Sequence, residues 1–215
     1  MNTLGEKFAL PVAIIAVFLI TTGVVCAEIL VGVKKGNWIE YQVALTGSPP
    51  ADHEVTWARM EVTDVQGKAI NLDVTSQFAN GTILYESVTL NLETGQLGDD
   101  FIIPANLNPD DTFIDQYHGS ITITGFEERN YAGATRTVVY ASTAQSTYYW
   151  DKATGILVEG ESEFPDYTIH SVAEKTNIWQ PQILGLEPTA FYAVLLIAAT
   201  VIIAVTAFLA LRRKK

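Results

Sequence analysis

The sequence has little cysteine or histidine, and neither residue type is clustered. Its one cysteine, Cys26, lies in an apolar stretch near the N-terminus, so the chain can form no internal disulfide and no cysteine-based zinc site. The three histidines, His53, His118 and His170, share no metal-ligand spacing. A Gly-x-Ser-x-Gly motif, which marks many serine hydrolases, is also absent. The sequence therefore predicts no catalytic, cofactor-binding or metal-binding residue.

Basic residues are scarce between the two apolar ends of the chain. Residues 28–180 hold 22 acidic against 8 basic side chains, a net charge of −14. Because such a surface repels phosphate backbones, we expect no nucleic-acid partner. Acids are adjacent at Asp99-Asp100 and at Asp110-Asp111, with Asp115 close by. The Asn106–Asp115 loop can be interpreted as a calcium site or as a solvated turn, and the adjacency of its acids favours the turn.

The C-terminal end predicts a membrane-spanning helix. Residues 191–211 form an uninterrupted run of 21 residues without charge, and the basic tail 212–215 follows. About 20 apolar residues cross the hydrocarbon core as a helix, and basic flanks mark the cytoplasmic side. Residues 181–190 form a juxtamembrane linker too short for a flexible stalk. We therefore predict a single-pass protein of the cell membrane, with residues 28–180 as its outward-facing ectodomain.

The N-terminal end allows three interpretations. Lys7 precedes an apolar run that closes with Val25-Cys26-Ala27, which fits the −3 and −1 positions of a signal-peptidase site. Residues 1–27 are therefore predicted to be a signal peptide cleaved after Ala27. The alternatives are an uncleaved N-terminal membrane helix and lipidation at Cys26. Since an uncleaved helix would also end on the outer side, the predicted location of the ectodomain is the same.

Between residues 38 and 179 the apolar side chains alternate with period two, which predicts a mainly β domain. Besides one hairpin described below, the predicted strands are Trp38–Leu45, Val55–Val65, Phe101–Ile103, Ser120–Thr124, Ala134–Ser142, Thr147–Trp150, Ile156–Glu161 and Thr168–Asn177. Closely spaced turns without a helical pattern predict an antiparallel meander. The meander could form a curved sheet, a half-barrel or a sandwich, with one C-terminal transmembrane helix.

The clearest hairpin surrounds Asn80-Gly81. A two-residue loop would place apolar residues of the first strand opposite polar residues of the second. A three-residue loop with Gly81 in the left-handed conformation instead pairs Ile70 with Leu90. We predict the three-residue loop. Its register gathers one apolar face: Ile70, Leu72, Val74, Phe78, Leu84, Val88, Leu90 and Leu92. The same turn carries the sequon Asn80-Gly81-Thr82, an acceptor for glycosylation in organisms that modify their surface proteins.

Aromatic residues are concentrated in the second half of the domain. They are Tyr131, Tyr140, Tyr148, Tyr149, Trp150 and Tyr167. Because residues 148–150 are consecutive in a predicted strand, both faces of that strand carry a ring. Either both faces are covered, or one ring is exposed and contacts a ligand or partner.

Three short segments resemble those of uncharacterised archaeal surface proteins that have a β-rich ectodomain and a C-terminal membrane anchor. Gly36–Tyr41 matches their G-x-W-x-x-Y opening, and Ile103–Leu107 and Tyr149–Gly155 are similar to later segments. This resemblance implies a cell-surface β domain. More distantly, Trp-Asp-x-x-Thr-Gly turns on a curved sheet are similar to those in the half-barrel of lipoprotein carriers. A retained membrane anchor argues against a shuttling role.

Three hypotheses for function follow. The first is a membrane-anchored, non-catalytic surface protein whose β domain is structural or binds an envelope protein or other partner. The second is a half-barrel that binds a lipid or another apolar ligand near the bilayer. The third, an extracellular hydrolase, is least favoured because no catalytic motif is present. A deep apolar cavity would favour the second hypothesis, and converging carboxylates or histidines in a cleft would favour the third.

Overall fold

The computed structural model describes residues 29–95, 101–116 and 118–212 of the 215-residue chain. The predicted signal peptide, Cys26, the Asp99-Asp100 pair and the last three basic residues lie outside the described residues. Within the described residues the chain is mainly β with one C-terminal helix, as predicted. The predicted fold class is confirmed.

The described ranges contain eleven strands and one α-helix. They are β1 (Trp38–Gly47), β2 (Val55–Gln66), β3 (Ala69–Phe78), β4 (Ile83–Asn91), β5 (Thr112–Asp115), β6 (Gly119–Thr122), β7 (Gly125–Tyr131), β8 (Ala134–Ser142), β9 (Ser146–Asp151), β10 (Leu157–Glu163), β11 (Tyr167–Thr176) and α1 (Pro188–Arg212). A single 3-10 turn, Ala51–His53, lies between β1 and β2.

Nine of the strands form one antiparallel sheet in the order β4-β3-β2-β1-β11-β10-β9-β8-β7. The sheet consists of two meanders, β1–β4 and β7–β11, which join where β1 pairs with β11. β5 and β6 form a separate hairpin in the connection from β4 to β7. The predicted meander is therefore present in each half of the sheet.

The strands of this sheet have two functionally different ends. We call the end from which the chain leaves β11 toward α1 the linker end, and the opposite end the far end. Antiparallel order places the β2–β3, β7–β8 and β9–β10 turns at the linker end. The β1–β2, β3–β4, β8–β9 and β10–β11 turns lie at the far end.

The predicted register of the β3–β4 hairpin is confirmed. Ile70 pairs with Leu90, and the loop comprises the three residues 79–81. Gly81 has a φ of 85°, the left-handed conformation that the loop requires. Asn80 is exposed in this turn, and its Oδ1 accepts a hydrogen bond from the Thr82 amide at 2.9 Å.

One face of the sheet is apolar and forms the core. Along the linker half of this face, Ile39, Leu72 and Leu90 are completely buried. The connection from β4 to β7 crosses this half and packs its own apolar side chains against it. These are Ile102, Ile103, Leu107, Phe113, Ile121 and Ile123. The core therefore lies between one face of the large sheet and the connection that carries the β5–β6 hairpin.

One predicted strand is wrong, and two strands of the structure were not predicted. Phe101–Ile103 makes only an isolated bridge, Ile102 to Ile156, because its backbone bonds the β9–β10 turn: the Ile103 amide donates to the Gly155 carbonyl at 2.9 Å. β5 and β7 were not predicted. β7 contains the polar run Glu127–Asn130, which hides the alternation because the strand lies at the edge of the sheet.

The second meander curls around the polar face of the sheet. β7 comes into contact with β11 although three strands lie between them. Strands about 4.8 Å apart in a flat sheet would separate these two by roughly 20 Å. Trp179, just beyond β11, closes the curl: it is buried, and its Nε1 donates to the Tyr131 carbonyl at 3.1 Å.

α1 has the length and composition of a membrane span. Its segment Pro188–Leu209 is long and apolar enough to cross a bilayer, and the β domain buries none of its most apolar part. A helix that is apolar on all sides and uncovered requires a lipid environment or partner helices. The helix begins three residues before the predicted run at 191–211, at Pro188, a residue suited to a first turn.

Candidate functional site

The apolar face is left uncovered over its far half, where it forms an open groove of about 500 Å³. Strand residues such as Val43, Val74, Phe78, Leu84 and Ile169 line the groove. Leu84 remains 49% exposed, in contrast to the completely buried residues of the linker half. This volume lies within the range of roughly 300–1,000 Å³ that small-molecule sites occupy.

Small residues create the groove. On the apolar face Ala58 pairs with Ser76, and Gly160 pairs with Ser171, in places where the linker half of the same face has isoleucine and leucine. A Cβ atom at Gly160 would meet the Tyr148 ring at 3.5 Å, an ordinary contact, so the backbone there has room for a Cβ atom. The open volume therefore coincides with small side chains on four neighbouring strand positions.

The groove continues beneath Phe101 into a second chamber of about 170 Å³. Phe101 and Leu157 line both spaces, and Tyr148 and Gly160 line the second. Together the two spaces extend from the β4 edge of the sheet as far as β9. An extended occupant would thus lie across the strands.

The floor of the groove offers no free charge. Tyr41 lies in it, but its hydroxyl donates to the Leu157 carbonyl at 2.8 Å. Burial raises the pKa of Tyr41, so the hydroxyl stays protonated. Because this polar group is already satisfied, the floor is suited to hydrocarbon.

An aromatic cluster forms one wall at the far end. The Nδ1 atom of His53 lies 2.6 Å from the Tyr167 hydroxyl, and the Phe164 ring stacks on Tyr167 with centroids 4.4 Å apart. His53 lines the groove, together with Asp52 from the same 3-10 turn and Glu86 from β4. Tyr167 is the aromatic candidate that the structure places beside this wall.

The other two histidines lie elsewhere. The Nδ1 of His118 lies 2.8 Å from Asp115, and the Nε2 of His170 lies 2.9 Å from Glu159. Within the described part of the chain, no three His, Cys, Asp or Glu side chains are placed to hold a metal ion. The three histidines thus contact three different partners: Tyr167, Asp115 and Glu159.

The Asn106–Asp115 loop uses its carboxylates internally. Asp111 Oδ2 accepts a hydrogen bond from the Asn108 amide at 2.7 Å, which stabilises the turn. Asp115 is not solvated as a simple turn would predict: it is 3% exposed and accepts hydrogen bonds from the backbone and ring of His118. Both acids therefore stabilise local backbone.

A second polar cluster lies inside the curl on the opposite face. Glu159 of β10 bonds Arg129 of β7 at 2.8 Å, His170 of β11 at 2.9 Å and the hydroxyl of Tyr131. Burial alone would raise the pKa of Glu159, but the hydrogen bonds from Tyr131, His170 and Arg129 outweigh it and lower that pKa. Since both carboxylate oxygens accept hydrogen bonds from other strands, the cluster joins β7, β10 and β11.

The Trp-Asp-x-x-Thr-Gly segment is also structural. Asp151 is completely buried, and its Oδ1 accepts a hydrogen bond from the Thr154 hydroxyl at 2.7 Å. Its Oδ2 accepts one from Arg136 Nε at 2.8 Å. These bonds fix the β9–β10 turn, to which the covering connection is attached.

The consecutive aromatic residues of β9 occupy both faces, as predicted. Trp150 is completely buried, and Tyr148 lies with it on the apolar face beside the second chamber. Tyr149 lies on the polar face, where the Arg129 guanidinium covers its ring at 3.8 Å. Tyr148 is therefore the ring of this run that adjoins open space.

Sequence reasoning did not find the groove. The feature that marks the groove is two cross-strand pairs of small residues, Ala58 with Ser76 and Gly160 with Ser171. These pairs can be recognised only when the register of four strands is known.

Comparison with known proteins identifies no family for this chain. No protein-family model matches it, and no curated protein matches it. Three chains of solved structures match. One is from work described as "The Siderocalin Ex-FABP functions through dual ligand specificities", with 12% identity over 74% of this chain and 80% of that chain. The TM-score of 0.24 is too low for that likeness to carry an argument about fold or ligand.

Proposed function

We propose that this protein is a membrane-anchored binding protein whose β domain holds an apolar molecule in the groove at its far end. The observation that carries the proposal is the open groove of about 500 Å³ on an otherwise densely packed apolar face. Exposed apolar surface of this kind is costly in water and marks binding sites. The small residues beneath it support the proposal, because they leave open the space that larger apolar side chains occupy in the linker half.

The expected affinity is moderate. Each methylene group that leaves water contributes about 0.8 kcal/mol, so roughly ten buried methylenes contribute about 8 kcal/mol. Association costs several kcal/mol in lost freedom of motion. Enclosure of the exposed Leu84 and the half-buried Phe78 side chains offsets part of that cost. We therefore expect a dissociation constant between about 1 μM and about 1 mM.

The proposed location is the outer face of the cell membrane. α1 spans the bilayer, its basic end at residues 212–215 stays in the cytoplasm, and the β domain faces outside. The domain acts by binding and not by catalysis. In its main charged cluster, both carboxylate oxygens of Glu159 already accept hydrogen bonds from residues of β7 and β11. Membership among archaeal surface proteins stays a prediction.

A second candidate function is supported by the β4 edge. No described strand pairs with the outer edge of β4, and its residues Ile83, Leu84 and Tyr85 are 51%, 49% and 74% exposed. An apolar, unpaired edge can add a strand from a partner protein. Replacement of Ile83 by proline would abolish such pairing and leave occupancy of the groove intact.

The test uses two variants of neighbouring residues in β3. Ser76→Phe places a ring in the groove, and Gln77→Phe places the same ring on the opposite, exposed face. The full chain and both variants are extracted from native membranes into amphipol, and their organic extracts are compared by mass spectrometry. The wild type and Gln77→Phe should retain an apolar molecule that Ser76→Phe loses.

Equal content of every extracted molecule in the three proteins would refute the proposal. Intrinsic tryptophan fluorescence should show the same folded spectrum in the two variants, so that loss of ligand is not loss of fold. All four tryptophans lie in the β domain, so the signal reports on that domain alone.

A further inference from the structure

Charge is segregated along the strands. All five lysines of residues 28–180 lie at the linker end: Lys34, Lys35, Lys68, Lys152 and Lys175. The far-end segments 47–56, 76–86, 143–147 and 161–168 contain six carboxylates and neither lysine nor arginine. The potential at the far end is therefore strongly negative.

The groove lies at this negative end. Asp52 and Glu86 line it, both are exposed, and neither forms an ion pair within the described residues. His53 is already bonded to Tyr167. The mouth thus presents carboxylates without a neutralising lysine or arginine.

The arginine nearest the groove does not change this conclusion. Arg59 adjoins the groove through its strand, but the strand alternation directs its side chain to the polar face. There its guanidinium bonds Glu40 at 3.0 Å and Glu61 at 3.2 Å. Its charge is therefore compensated on the side of the sheet away from the groove.

We propose, resting on the proposed function, that the groove selects single-chain amphiphiles whose head group is cationic or uncharged, and disfavours carboxylate and phosphate head groups. The hydrocarbon chain lies on the apolar floor, and the head group remains at the mouth beside Asp52 and Glu86. An ammonium group there meets opposite charges, whereas a carboxylate meets like charges.

The experiment compares three photoreactive probes of equal chain length: a long-chain amine, the alcohol and the carboxylate. Each carries a diazirine near the end of its chain and is added to the full-length protein in nanodiscs of zwitterionic lipid. Mass spectrometry then compares labelling of groove peptides with labelling of α1 in the same molecule. This ratio cancels differences in how the probes partition into the bilayer.

At low salt the amine should label the groove about tenfold more strongly than the carboxylate, with the alcohol between them. The preference should weaken as salt is raised, because the mouth is exposed. In the variant Asp52→Asn/Glu86→Gln, the ratio of groove labelling by the amine to labelling by the carboxylate should fall about threefold. The control Asp64→Asn/Glu174→Gln removes two carboxylates at the linker end, one half-buried and one exposed, and should leave the preference unchanged.

The possible failures are distinguishable. Equal labelling of the groove by amine and carboxylate, or an unchanged preference in Asp52→Asn/Glu86→Gln, would overturn the head-group proposal while the groove remains a binding site. Labelling confined to α1 with all three probes would overturn both this proposal and the proposed function.

Discussion

Glu159 offers the sharpest test of how the second meander holds its curl. The replacement Glu159→Gln keeps the size of the side chain and removes its charge. In the wild type this carboxylate is 15% exposed and accepts hydrogen bonds from Arg129, Tyr131 and His170. A glutamine has one acceptor oxygen in place of two and carries no charge, so the charge-assisted hydrogen bonds in the cluster are weakened or lost.

We expect a loss of about 2 kcal/mol in the free energy of unfolding near neutral pH. Arg129 keeps its ion pair with Glu127 at 2.6 Å and is one third exposed, which limits the penalty. The matched control is Glu161→Gln, two residues along the same strand and exposed, for which we expect a change within about 0.5 kcal/mol.

The pH dependence supplies a second, independent readout. The pKa of Glu159 is lowered in the folded protein, so its contribution is present above the carboxylate's unfolded pKa. That contribution disappears as the pH falls through the lower, folded pKa. The wild type should therefore lose stability over this acidic window, and Glu159→Gln should lose less.

The assay is urea unfolding of the full chain in nanodiscs, followed by tryptophan fluorescence. Trp179 closes the curl and Trp150 lies in the core, so both report on the affected region. If Glu159→Gln matches Glu161→Gln in midpoint and in pH profile, Glu159 does not stabilise the curl.

Two further outcomes are expected. Gly155→Ala should destabilise the domain by at least 2 kcal/mol more than Gly67→Ala. Both glycines have a positive φ, but of the two only Gly155 would place a Cβ atom against a carbonyl oxygen, that of Ile103, at 2.0 Å. Equal urea midpoints for the two variants would contradict this prediction. The protein should stay with membranes during alkaline carbonate extraction, and release by carbonate would contradict the proposed membrane span. Protease added to intact cells should digest the β domain, and digestion only after lysis would contradict its proposed location outside the cell.

Local patterns were enough to predict much of the sheet. The β3–β4 register followed from the alternation of Ile70 and Leu72 and from the turn at Asn80-Gly81, because a slip of one residue would bury the polar side chains. The boundaries of β8 were also predicted without error, from the pattern of its own residues. These features depend on neighbours in sequence.

Features that depend on distant partners could not be predicted. The curl requires Arg129 of β7 to meet Glu159 of β10 across the two strands between them, and nothing near either residue in sequence indicates the other. The path of residues 101–123 depends on the Gly155 turn that receives them. The groove is the clearest example, because it arises from what Ala58, Ser76 and Gly160 lack, and their shared location exists only in the folded sheet.

The position of the groove constrains the ligand. Strands of about ten residues are roughly 30 Å long, and the groove lies in the half of the sheet away from the linker. An orientation with the linker end at the bilayer and the strands perpendicular to it would require a ligand to leave the bilayer completely before it reaches the mouth of the groove. Each methylene that enters water costs about 0.8 kcal/mol, so a second chain of some ten further methylenes would add about 8 kcal/mol to that step. A single-chain amphiphile with a well-hydrated head group leaves the bilayer at the lower cost and can therefore reach a groove at the far end faster than a two-chain lipid.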